Sequence, residues 1–195
     1  MQTPAVFLDR DGTLIEEGNY VSHLGQVKLF PYTVDAVRQL NLAGFKVIVV
    51  TNQAGIARGI VSETFVAEAH AYLSERLAAG GASVDGYYYC PHHPAGIIEG
   101  LNIECECRKP KAGLWRRAAA DLGLELSRSF SVGDRWRDIL AARAAGTRGV
   151  MVRTGFGRAE EHAAPAGVAA DAIVDNLAAA VGWILEAAAK KSVAG

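Results

Sequence analysis

The sequence predicts an α/β fold, a mainly parallel sheet between layers of helices, and three observations carry that expectation. Short apolar runs alternate with stretches of helical periodicity along the chain. Half of the 195 residues are hydrophobic, enough for a sizeable core. The apolar runs end abruptly in polar residues, as strands do when their carboxyl ends border a ligand site. The architecture expected is a three-layer, Rossmann-like sandwich over residues 1–195 as one domain.

In chain order, residues 5–8, 46–50, 84–89, 130–132 and 149–152 read as buried strands. Between them Val34, Val37 and Leu40 recur at helical spacing, as do Phe65, Ala69, Tyr72, Leu73 and Leu77. Residues 114–122, 139–145 and 177–188 also suit helices. The Ala/Gly/Pro stretch at 160–170 reads as a surface loop, and residues 190–195 as a frayed tail. The intervals between motifs leave no room for a large cap. Asp11 and Thr51 are separated by 39 residues already occupied by a loop, a helix and a strand.

Composition excludes several classes. The formal charge of −1 offers no basic face for nucleic acid. No run approaches the roughly 18 apolar residues of a membrane span. The first strand begins too near Met1 for a signal peptide. Three cysteines crowded between Cys90 and Cys107 argue for reduced thiols rather than a disulfide framework. A cytoplasmic, monomeric protein with a small-molecule ligand is expected.

The stretch AVFLDRDGTLI drives a strand into two carboxylates, Asp9 and Asp11. Thr51, Asn52 and Gln53 follow the second strand. Arg108 and Lys109 precede Pro110, and Gly133 and Asp134 follow the fourth strand, with Asp138 four residues later. Converging acidic oxygens suit Mg2+, which also prefers phosphate oxygens. Lys109 would offset the charge of a phosphate, and Thr51 would donate to its oxygens. Asp9, at the strand end, is placed to attack phosphorus and form an aspartyl-phosphate. Asp11 is placed to protonate the leaving oxygen and later to activate water.

A second constellation is CPHHPAGIIEGLNIECEC. Cys90 with His92, and Cys105 with Cys107, have the spacing of a closed tetrahedral Zn2+ site with no position left for water. The plain alternative is three unrelated buried thiols. The C-x-H register selects His92, leaving His93 exposed or beside the site. A loop at 90–107 folded around zinc would hold Arg108 and Lys109 against the substrate.

DRDGT, TNQ, RKP and GDRWRD, in that order, resemble the four signatures of the haloacid-dehalogenase-like phosphatases. The resemblance implies Asp9 as nucleophile, Asp11 as general acid/base and Thr51 and Lys109 as phosphoryl stabilisers. It also implies Mg2+ held by Asp9, the backbone carbonyl of Asp11, and Asp134. The zinc ligands, with GNYV, TNQAGIARG and CRKPKAG, narrow it to the zinc-loop heptose-bisphosphate and histidinol-phosphate phosphatases. For the former, hydrolysis of a heptose 1,7-bisphosphate at its 7-phosphate, within lipopolysaccharide core synthesis, is implied. Substrate contacts are then implied for Glu17, Gly18, Asn19, Tyr20, Thr51, Asn52, Gln53, Ala54, Arg108 and Lys109. Arg135, where relatives often carry Lys, is a further cation at the site.

Some residues keep two readings. Arg58 either clamps a second phosphate or faces solvent. Asp138 either supports the metal or caps its helix. Trp115 and Trp136 read as packing rather than sugar platforms, and His23, His70 and His162 as surface residues. A phospho-acceptor receiver domain would share the aspartates, threonine and lysine, but carries its acceptor after a middle strand rather than the first. A nucleic-acid zinc module would need the basic surface that is missing.

Overall fold

A computed structural model describes residues 2–193. The elements in chain order are β1 (Ala5–Leu8), α1 (Thr33–Leu42), β2 (Lys46–Asn52), α2 (Ala54–Ala57), α3 (Glu63–Ala78), β3 (Gly86–Cys90) and α4 (Gly113–Leu122). They continue with β4 (Phe130–Gly133), α5 (Trp136–Ala145), β5 (Arg148–Val152), α6 (Gly157–Glu160), β6 (Ala172–Val174) and α7 (Leu177–Val193). The six strands form one parallel sheet in the order β3-β2-β1-β4-β5-β6. No cap domain interrupts the sheet among the described residues, as expected.

Strand alternation builds two cores, because successive side chains point to opposite faces. Val6, Leu8, Val47 and Val49 pack under α1, α3 and α7 through Val37, Leu40, Leu73, Leu77, Val181 and Ile184. Ala5, Phe7, Ile48 and Val50 face the other way, onto Leu114, Trp115 and Ala118 of α4. A central strand buried on both faces must be apolar throughout, which is why β1 reads AVFL without a break. Burying Val6, Phe7 and Leu8 contributes roughly 1.5–3 kcal/mol each. Trp115 and Trp136 are both buried, as packing residues should be, and Trp115 Nε1 donates to Ser131 Oγ at 2.8 Å.

The structure departs from expectation in four places. β3 begins at Gly86 rather than Val84, because Asp85 Oδ2 takes the Val47 N–H that a ladder bond would have used. β6, three residues long, is an edge strand too short to show a period. The stretch at 190–193 continues α7 instead of fraying, and residues 194–195 lie outside the described residues. His70 is buried, not at the surface: α3 turns it inward, where its ring stacks on Tyr87 at 4.5 Å. His23 and His162 are exposed, as expected. Among the described residues no helix is long and apolar enough to cross a membrane.

Candidate active site

In-register pairing sets Leu8 of β1 beside Val49 of β2 and Val132 of β4, so the carboxyl ends of these strands lie level. The chain passes from β1 to β2 on one side and reaches β4 on the other. A crevice opens where the connections diverge. Asp9, Thr51 and Asp134 stand at its foot, all buried.

Asp9 Oδ1 accepts the Arg10 N–H at 2.8 Å and lies 2.9 Å from Lys109 Nζ. Lys109 is itself buried; its Nζ also meets Asp138 Oδ1 at 2.6 Å and donates to the Val50 carbonyl at 3.1 Å. Burial works against its charge, but Asp138 and Asp9 outweigh that and hold its pKa above the ordinary value. Asn52 pins the Lys109 backbone from both sides, accepting its N–H at 3.0 Å and donating to its carbonyl at 3.2 Å.

Asp9, Asp134 and Asp138 each bring a carboxylate oxygen within 4.8 Å of the others. Burial, then the charges of Asp9 and Asp138, push Asp134 up to about 8. Three buried carboxylates against one lysine leave negative charge that a hard divalent cation would offset, so the donor set fits Mg2+. Asp138 also accepts the Arg135 N–H at 3.1 Å, so it caps α5 while facing the other two carboxylates. The capping reading of that residue is therefore observed. The glycine of DGT has a local reason: a Cβ on Gly12, where φ is +78°, would lie 2.3 Å from Asp134 Oδ2.

Asp11 is gripped by a residue that the sequence reading passed over. Arg10 Nε and Nη2 lie 3.0–3.3 Å from its two carboxylate oxygens. Gln53 Nε2 donates to Asp11 Oδ2 at 3.1 Å and to Thr51 Oγ1 at 2.9 Å, while its Oε1 accepts from Arg10 Nη2 at 3.1 Å. In the motif Arg10 looks like a spacer between the aspartates; only its burial shows otherwise.

In front lies a cavity of about 310 Å³. Asp11, Glu17, Asn19, Tyr20, Asn52, Gln53, Ala54, Arg108 and Arg135 line it, all expected from the sequence. Arg58, Arg137 and Phe156 line it too. Gly18 is exposed and lies off its wall. Asn19 and Tyr20 hold positive φ, 45° and 75°, conformations that non-glycine residues keep only when the surroundings impose them. Here Arg58 Nη1 donates to Tyr20 Oη and Nη2 meets His93 Nε2 at 3.2 Å. Arg58 thus ties the 17–20 loop to the cysteine loop rather than simply facing solvent. Burial, the largest cause, and the nearby Asp11 and Asp9 charges raise the Glu17 carboxyl above its ordinary pKa. Arg135 stacks its guanidinium 3.4 Å from the centre of the Phe156 ring and sits 3.8 Å from Glu160.

The cysteine loop is the second cluster. Ligand atoms of Cys90, His92, Cys105 and Cys107 lie within 4.8 Å of one another. Cys105 Sγ is 3.5 Å from Cys90 Sγ and 3.3 Å from Cys107 Sγ, and His92 Nδ1 is 3.3 Å from Cys107 Sγ. A tetrahedron with metal–sulfur bonds of about 2.3 Å has edges of about 3.8 Å, so the four atoms need little movement to fit Zn2+. His93 stands outside the cluster. Arg108 Nη1 donates to the His92 carbonyl at 3.2 Å, so the loop fixes a cavity cation.

The geometry has known counterparts. The family described as HAD-hydrolase-like matches residues 106–180. The D-glycero-beta-D-manno-heptose-1,7-bisphosphate 7-phosphatase of Yersinia pestis is 40% identical over 177 residues, covering 90% of this chain and 92% of its own. Its counterpart in Escherichia coli strain K12 is 42% identical over 154 residues, or 78% of this chain and 80% of the relative. The crystal structure of D,D-heptose 1,7-bisphosphate phosphatase from B. bronchiseptica, complexed with magnesium and phosphate, superposes with a TM-score of 0.83. It is 31% identical and covers 94% of this chain and 99% of its own. The fold, the buried carboxylates and likeness over nine-tenths of both chains agree: this protein belongs to the heptose-1,7-bisphosphate 7-phosphatase family of HAD-like hydrolases.

Proposed function

We propose that this chain hydrolyses the 7-phosphate of D-glycero-β-D-manno-heptose 1,7-bisphosphate, releasing phosphate and heptose 1-phosphate, as the names of its relatives indicate. The observation that carries it is a desolvated Asp9–Lys109 pair at the strand ends, beside a cavity walled by arginines. Asp9 attacks phosphorus, the P–O bond to the sugar breaks, and the leaving oxygen takes a proton from Asp11. Water then attacks the aspartyl-phosphate, giving its proton to Asp11 and freeing Asp9. Lys109 and Thr51 hold the phosphoryl oxygens. Mg2+, held by Asp9, Asp134 and the Asp11 carbonyl, would offset phosphoryl charge when bound.

Arg108 grips the phosphate that is not cleaved, since a guanidinium makes the bidentate contact that Lys cannot. Zn2+ on Cys90, His92, Cys105 and Cys107 has a structural task, holding that arginine in place. The enzyme acts as a single-domain, cytoplasmic monomer. Histidinol phosphate carries an ammonium group, which five cavity guanidinium groups repel, so the second phosphate of a sugar bisphosphate is the better match. Phosphate release from both heptose bisphosphate anomers, histidinol phosphate and fructose 1,6-bisphosphate tests the reading. Turnover fastest on histidinol phosphate would refute it.

A further inference from the structure

Arg137 is a cavity residue that this reaction leaves without a task. It sits in the first turn of α5, beside Asp138, and lines the same cavity as Arg58, Arg108 and Arg135. Those three are engaged: Arg58 with Tyr20 and His93, Arg108 with the His92 carbonyl, and Arg135 with Phe156 and Glu160. Among the described residues the Arg137 side chain has no hydrogen bond and no ion pair, and its Nε is buried without a partner. A buried donor left in that state is destabilising unless a ligand takes it up.

The charges around it sharpen the point. Burial disfavours the Arg137 cation, but the fields of Asp138, Asp9, Asp134 and Glu17 outweigh burial and keep it charged. Arg108 is held below its ordinary pKa, chiefly by burial, with Arg137 and Arg58 pushing the same way. The guanidinium groups of Arg137 and Arg108 therefore repel across a cavity they both line, an arrangement that a dianion between them would relieve. The cleaved phosphate already has Lys109 and Thr51.

We propose that Arg137 binds the phosphate that stays on the sugar, sharing it with Arg108; the assignment rests on the sugar-bisphosphate reading above. Arg137→Met keeps the apolar stem and removes the donors. Its kcat/KM on heptose 1,7-bisphosphate should fall about tenfold or more, mostly through KM, as expected for one lost charge-assisted hydrogen bond. On p-nitrophenyl phosphate, which has no second phosphate, the loss should be about twofold or less. Turnover of that ester also shows that the variant is folded. Arg137→Lys should recover part of the bisphosphate activity, and Arg108→Ala should show the same split between substrates. Equal losses on both substrates for Arg137→Met, or bisphosphate kinetics like the wild type, would overturn the assignment. A wild-type enzyme that does not prefer the bisphosphate to the ester would instead overturn the sugar-bisphosphate reading, since that comparison leaves Arg137 untouched.

Discussion

The floor of the crevice and the rim of the cavity in front of it are built on different physics. On the floor Asp9, Lys109, Asp134 and Asp138 are all at most 4% exposed, and ion pairs of 2.6–2.9 Å lock Asp9 and Asp138 to Lys109. At the rim Tyr20 is 40% exposed and its loop keeps an unfavourable backbone conformation, tied down through Arg58. The floor is stiff because a buried charge cannot be left unpaired. The rim is held by a few contacts to a cysteine loop. The floor suits chemistry common to any phosphate ester, whereas the rim suits the choice among esters.

The largest effect should come from breaking the floor at its reacting group. Asp9→Asn should keep the fold but reduce turnover by about a thousandfold or more on every ester, because the attacking charge is gone. Asp11→Asn should cost about a hundredfold or more. Steady-state phosphate release measures both, and near wild-type turnover of Asp9→Asn would end the covalent mechanism.

Lys109→Ala probes the floor as a structural unit. It leaves Asp9 and Asp138 buried without their cation, so stability should drop by roughly 3–5 kcal/mol in denaturant titration, with activity lost on monoester and bisphosphate alike. A variant as stable as the wild type would show that the floor is not locked by charge.

Cys105→Ser asks whether the rim is separable. Elemental analysis should find about one Zn2+ per wild-type chain and less in the variant. Stability should fall by roughly 3 kcal/mol, and KM for the bisphosphate should rise more than kcat falls. Protein prepared without chelators and still free of zinc would contradict the structural role.

The smallest effect concerns the support beneath the floor. Among the described residues His70 Nε2 and Arg10 Nη1 are both buried without partners, and burial, with the Arg10 charge second, lowers the His70 pKa from 6.5 to about 3. A depressed folded value means the neutral ring contributes its full stability above pH 6.5. That contribution is lost as pH falls from there toward 3, while the unfolded chain takes up a proton first. By pH 5 the loss should be roughly 2 kcal/mol. Melting curves from pH 7 to pH 5 should be flatter for His70→Gln by that amount, and identical slopes would exclude His70 as the cause.

Legibility followed range along the chain. β1 and α3 were readable because burial on two faces, or on one helical stripe, leaves a local period. β6 was not, since three residues on an edge carry no period. Most of the floor was readable from short motifs, because Asp9 and Asp134 directly follow strands and Thr51 lies in the last two residues of one. His70 was misread because a lone polar residue on a helix gives no sign of which neighbours will enclose it.

By itself the sequence determined the alternating strands and helices, the ligand spacing of the cysteine loop and the carboxylates at strand ends. Each of these depends on neighbours within a few residues. Tertiary structure alone decided that Arg10 serves Asp11 jointly with Gln53, 43 residues away, that Arg58 reaches Tyr20 across 38, and that Arg137 Nε is buried without a partner among the described residues. The physical reason is that a charged side chain takes its meaning from the groups enclosing it, and chain closure brings those groups from distant segments.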